Sequence, residues 1–60
     1  MIEWFSIIRD QYGTIQYRSP AFPKKWIAVK WASKLIDKHH KLNEWFYEVY
    51  NEPTNEYNGG

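Results

Sequence analysis

Hydrophobic and polar positions divide the chain into four blocks. Between Ile2 and Arg9, apolar residues occupy both parities, with Ile2, Trp4 and Ile8 on one side and Phe5 and Ile7 on the other. Because strand side chains alternate between faces, this block predicts a strand that is apolar on both. Asp10-Gln11-Tyr12-Gly13 follows as a turn signal, its glycine free to take a positive φ. Thr14 to Ser19 then alternates, with Ile15 and Tyr17 inward and Gln16 and Arg18 outward. The first two blocks therefore read as a β-hairpin.

Ser19-Pro20-Ala21-Phe22-Pro23 ends the second strand, since proline fixes φ and lacks a backbone donor. Pro23 suits the first turn of a helix. Lys24 to Leu42 has the helical period: Ala28, Trp31, Ala32, Leu35, Ile36, His39 and Leu42 share one side, and Lys30, Lys34, Lys38 and Lys41 mark the other. Asn43, which tolerates the left-handed conformation of a C-cap, is the expected stop. Glu44 to Glu52 fits two patterns. Trp45, Phe46, Tyr47, Val49 and Tyr50 are strand-favouring types, yet Leu42, Trp45, Phe46, Val49 and Tyr50 also satisfy the period of a helix continuing from Lys24 to Glu52. The side-chain types and the break at Asn43 favour the strand, with Pro53 ending it. Thr54 to Gly60 is polar and is expected to be a disordered tail, leaving one α+β domain over residues 1–53.

The element order ββαβ sets a topology. With a right-handed crossover, the third strand lies most simply beside the first, giving a three-stranded antiparallel sheet in the order 2-1-3 with one helix on one face. Ile2 to Arg9 becomes the central strand. A central strand apolar on both faces is the mark of a sheet covered on both sides, and this chain has one helix to give.

Composition sharpens that imbalance. Four Trp, five Tyr and three Phe among 60 residues are more aromatic surface than so small a fold can enclose. Eight Lys and Arg against seven Asp and Glu give a net charge of +1, so there is no basic field that would by itself drive nucleic-acid binding. The absence of cysteine excludes disulfides, thiolate metal sites and thiol nucleophiles. There is no apolar run of the length that spans a membrane, and Met1-Ile2-Glu3-Trp4 lacks the basic start of a signal peptide, so a cytoplasmic protein without membrane association is expected.

Four groups of residues invite a function. Phe5 and Ile7, joined by Phe46 and Tyr50, would form the uncovered sheet face, rimmed by Arg9, Arg18, Glu3 and Glu48. Such a face serves as a binding surface, or is shielded by its own long side chains. Trp26 falls away from the core stripe, and either folds over Phe22-Pro23 as a local staple, the reading favoured here, or stands out as an anchor for a partner. The lysine stripe is a solvated helix face unless it meets phosphate. His39-His40 cannot converge on one ion from adjacent helical positions, and no acid or nucleophile spacing accompanies them, so no catalytic residue, cofactor or metal is expected.

The span from Trp4 to Tyr50, with its Ser19-Pro20-Ala21-Phe22 link and Trp31-Ala32-Ser33-Lys34-Leu35 helix, resembles small ββαβ accessory proteins of tailed bacteriophages. The resemblance is architectural and covers nearly the whole chain, with no diagnostic motif. It implies a non-enzymatic inhibitor or regulator that blocks a host protein sterically. The residues expected to carry binding are Phe5, Ile7, Arg9, Trp26, Phe46 and Tyr50, with a host protein or a second copy of the chain as partner. The alternative is nucleic-acid binding, with sheet aromatics stacking on bases and helix lysines on the backbone.

Overall fold

The computed structural model describes residues 2–53, and the expected tail from Thr54 to Gly60 lies outside them. The elements are β1 (Ile2–Asp10), β2 (Ile15–Arg18), α1 (Lys25–Lys38) and β3 (Trp45–Pro53). The sheet is antiparallel in the order β2-β1-β3, with α1 packed on one face. The ββαβ topology, the central position of β1 and the strand at Trp45–Pro53 are as the sequence predicts.

The β1–β2 hairpin is built around Asp10. Its C=O accepts the Gly13 N–H at 3.0 Å, and its N–H donates to the Thr14 C=O at 2.9 Å. Gly13 takes φ 85°, the left-handed geometry that glycine adopts without steric cost. One carboxylate oxygen of Asp10 accepts from the Tyr12 and Thr14 N–H groups, and the other from the Gln16 amide. Burial acts to raise the Asp10 pKa, but these bonds and the nearby Gly13 N–H outweigh it and hold the carboxyl below its usual range. A bulge follows: Tyr17 pairs with Ile8, but Ile15, not Gln16, pairs with Arg9. The simple alternation expected over Thr14 to Ser19 is therefore broken, and Ile15 and Tyr17 do not share a face.

Beyond the short β2 strand, the same edge of β1 is covered by the link to the helix. The Ser19 N–H donates to the Ser6 C=O at 2.9 Å, and the Ser6 N–H donates to Ser19 Oγ at 2.8 Å. Phe22 forms a two-way backbone bridge with Trp4, at 2.8 and 2.7 Å. A segment with two prolines thus still satisfies its neighbour's backbone, using a side-chain hydroxyl where a strand would use a carbonyl.

The core lies between β1 and α1. Ile8, Ala32 and Ile36 form its centre, with Trp31, Leu35 and Trp45 packed around them. Ala28 and Ala32 are fully buried, and their small side chains let the helix axis approach the sheet. Ser6, also fully buried, donates its hydroxyl to the Ala28 C=O at 3.2 Å. A polar side chain is tolerated there because it has a partner.

The helix departs from expectation at both ends. Its first residue is Lys25, so Pro23 precedes the N-cap Lys24 and does not belong to the first turn. At the other end it stops at Lys38, well before Asn43. His40 takes φ 57°, its N–H donates to the Asp37 C=O, and the Lys41 N–H donates to the Ile36 C=O. This bond pair is the Schellman termination, with histidine in the left-handed position usually held by glycine. Leu42 therefore leaves the core stripe and is 67% exposed, and Lys41 leaves the lysine stripe to pair with Glu44 at 3.4 Å.

Candidate functional site

The helix-free face of the sheet gathers most of the residues singled out in the sequence. Cross-strand partners share a face, so the pairs Phe5–Tyr50, Ile7–Glu48 and Arg9–Phe46 bring five of the six expected binding residues together. The Phe5 and Tyr50 rings stack at 5.5 Å between centroids, 27° from parallel. Phe46 is 58% and Tyr50 39% exposed, whereas Ile7 is only 7% exposed. Ile7 lies between Phe5 and Arg9 on its own strand and between Glu48 and Arg18 across the sheet, so long side chains shield it where no helix does.

Arg9 and Glu48 sit within the face and not at its rim. Arg9 Nε donates to Glu48 Oε1 at 3.0 Å, and its Nη1 donates to the Gly13 C=O at 3.0 Å, tying the sheet to the hairpin turn. The Tyr50 hydroxyl donates to the same Glu48 oxygen at 2.7 Å. The Tyr50 bond, then the Arg9 bond, holds the Glu48 carboxyl below its usual pKa. In return, the bond to Glu48 is the main cause raising both Tyr50 and Arg9. The result is a fixed polar centre flanked by the Phe5–Tyr50 stack and by Phe46. The residue types gave both ends of this network, but the shared oxygen depends on register.

Trp26 lies apart from that surface. It is 62% exposed on the outward side of α1, and Phe22 lines a separate depression with Ile27 and Trp31 in which Trp26 has no part. With Val29 and the stems of Lys24, Lys25 and Lys30 it lines a shallow apolar depression of about 520 Å³. The helix residues Ala28, Ala32 and Ile36 face the sheet, so Trp26, Lys30 and Lys34 point away from it. Helix lysines and open-face aromatics thus occupy opposite sides of the molecule. Lys25 is the exception, its Nζ lying 5.7 Å from the Trp4 ring centroid on the helix side of the sheet.

His39 caps the helix-covered end of the core, with its ring 5.7 Å from Tyr17 and 5.5 Å from Trp45. His40 is exposed in the turn. Among the described residues, no three His, Asp or Glu side chains converge as metal ligands would. Among the described residues, no helix is long and apolar enough to cross a membrane. Compared with known proteins, the chain matches no family model, no curated protein and no solved structure.

Proposed function

We propose that the protein is a non-enzymatic binding module that docks another protein on its helix-free sheet face and acts by covering that protein's working surface. The observation that supports this reading is Phe46, which stands 58% exposed across the Arg9–Glu48 pair from the Phe5–Tyr50 stack, on a face that no described element covers. Aromatic rings carry much apolar area on few rotatable bonds, which makes them favoured anchors. Arg9 and Glu48 are already paired with each other, so a partner meets a preorganised polar centre between the Phe5–Tyr50 stack and Phe46. The resemblance of the ββαβ order to small phage accessory proteins suits an inhibitor or regulator of a host protein in the cytoplasm. Nucleic acid suits the face less well: a strand stacked on Phe46 and Tyr50 would find Arg9 and Arg18 for its phosphates, but also Glu3, Glu48 and Glu52.

The test is capture from a bacterial lysate by the parent chain, Phe46→Ala and Lys34→Ala, each checked for folding by circular dichroism. A protein retained by the parent and Lys34→Ala but lost with Phe46→Ala supports the face. Equal capture by all three, or salt-sensitive retention on heparin that Phe46→Ala abolishes, overturns the reading.

A further inference from the structure

The two edges of the sheet differ in how they are closed. On the β2 side, a four-residue strand, a bulge, the Ser19 hydroxyl and the Phe22 bridge together cover β1. On the other side, β3 is a nine-residue edge with no register shift against β1 and a proline only at its last position. Natural sheets blunt such edges with bulges, prolines, short strands or charges. β3 has no bulge and no proline before Pro53, and its two charges, Glu48 and Glu52, both lie on the open face.

The direction of its backbone groups follows from β1. Trp4, Ser6 and Asp10 direct their N–H and C=O groups toward β2 and the link. The intervening residues Glu3, Phe5, Ile7 and Arg9 must then direct theirs toward β3, where they pair with Glu52, Tyr50, Glu48 and Phe46. The remaining residues of β3 point outward. The Trp45 N–H is taken by the Lys41 C=O at 2.9 Å, but Tyr47, Val49 and Asn51 present donors and acceptors that no described residue meets.

We propose that this edge pairs antiparallel with β3 of a second copy, about a two-fold axis at Val49, to give a six-stranded sheet. In that register Val49 pairs with itself and Tyr47 with Asn51, so every outward group of the three residues is bonded. On the open face, Glu48 falls beside Tyr50 of the second copy, and Phe46 beside its Glu52. Moving the axis to Glu48 would set Glu48 against Glu48, and moving it to Tyr50 would set Glu48 against Glu52, both like-charge contacts that oppose pairing. The Val49 register moves both contacts from directly opposite to the more distant diagonal positions and uses the full strand. On the helix side, Pro53 of the second copy falls opposite Trp45. It lands beside a groove of about 290 Å³ that includes Ile36, Leu42, Trp45 and Tyr47, where Leu42 is otherwise exposed. A two-fold perpendicular to the sheet places both helices on one side, so the two open faces join into one surface. The pairing stands on backbone geometry and does not depend on what the open face binds.

Sedimentation of the full chain from about 1 µM to about 1 mM, with amide hydrogen exchange at both ends of the range, tests it. The expected result is a monomer–dimer equilibrium in which the Tyr47, Val49 and Asn51 amides slow as the dimer forms. Asn51→Pro removes an outward donor while sparing the β1 ladder, and is expected to weaken the dimer about tenfold or more with the circular dichroism unchanged. Lys34→Ala, on the outward side of α1 and away from the edge, should dimerise like the parent. A monomer throughout, exchange at the three amides that ignores concentration, or a dimer kept at full strength in a folded Asn51→Pro would overturn the proposal. Should Asn51→Pro fail to fold, the exchange of the parent still decides.

Discussion

On the helix side of β1, Ile8 is fully buried against Ala32 and Ile36; on the other side, Ile7 reaches 7% exposure among Phe5, Arg9, Arg18 and Glu48. Neighbouring residues of the same type are thus hidden by two different means. The helix side excludes water with carbon held in place by backbone. The open side does so with long, half-exposed side chains that stay put through one stack and one shared carboxylate oxygen. A partner could take over the second kind of cover without unfolding anything. Truncation should expose the difference most strongly. Ile8→Ala is expected to cost about 2–5 kcal/mol, because the rigid helix cannot collapse into the cavity. Ile7→Ala should cost roughly half as much, because Phe5 and Arg9 can settle into the space. Urea unfolding measures both, and equal losses would show that the two covers are equally rigid.

Ser6 tests the covered face in a subtler way. Its hydroxyl is fully buried and has the Ala28 C=O as acceptor. Ser6→Ala should cost about 0.5–1.5 kcal/mol, the net worth of one hydrogen bond, since the helix still uses that carbonyl. Ser6→Val should cost about 1–3 kcal/mol by pushing α1 away from the sheet. Chemical denaturation separates the two, and a stabilised Ser6→Val would mean that the helix has room to move.

The central strand, its two apolar faces and the partner strand were legible because apolar residues at both parities, turn residues and strand-favouring side-chain types agree with the topology that a right-handed crossover gives. Phe5, Ile7, Phe46 and Tyr50 share a face for the same reason. What was not legible depends on single backbone conformations. Leu42 keeps the helical spacing and so looks like core, but the chain has already turned at His40, a residue whose type does not announce a positive φ. Trp26 gives the converse case, since its wheel position places it off the core but says nothing about whether it folds back. The bulge at Gln16 likewise leaves no mark in a run that alternates cleanly. His40→Gly makes the first of these measurable. Glycine removes the left-handed strain and should stabilise the chain by up to about 1 kcal/mol, read as a rise in melting temperature. A loss would show that the imidazole supports the helix end by contact, and that the cover over β1 depends on it.

The smallest effect belongs to the polar centre of the open face. Glu48 and Asp10 both have lowered pKa values in the folded chain, so their stabilisation is complete above the unfolded carboxylate range near about 4 and is lost as pH falls through the folded values. Tyr50 is raised, so its share is complete below about 10 and is lost as pH rises through its folded value. Exposed pairs of this kind are worth little at neutral pH, because water and salt compete for both charges. The diagnostic is therefore a difference between variants and not a size. Glu48→Gln should melt slightly below the parent at pH 7, and the gap should close in acid as the parent's carboxyl becomes protonated. Asp10→Asn should show a gap of its own that closes over the same acid range, since the turn bonds to the charged carboxylate are independent of the sheet face. If the Glu48→Gln gap persists unchanged at low pH, charge is not what holds the cover over Ile7, and packing of Phe5 against Tyr50 must carry it alone.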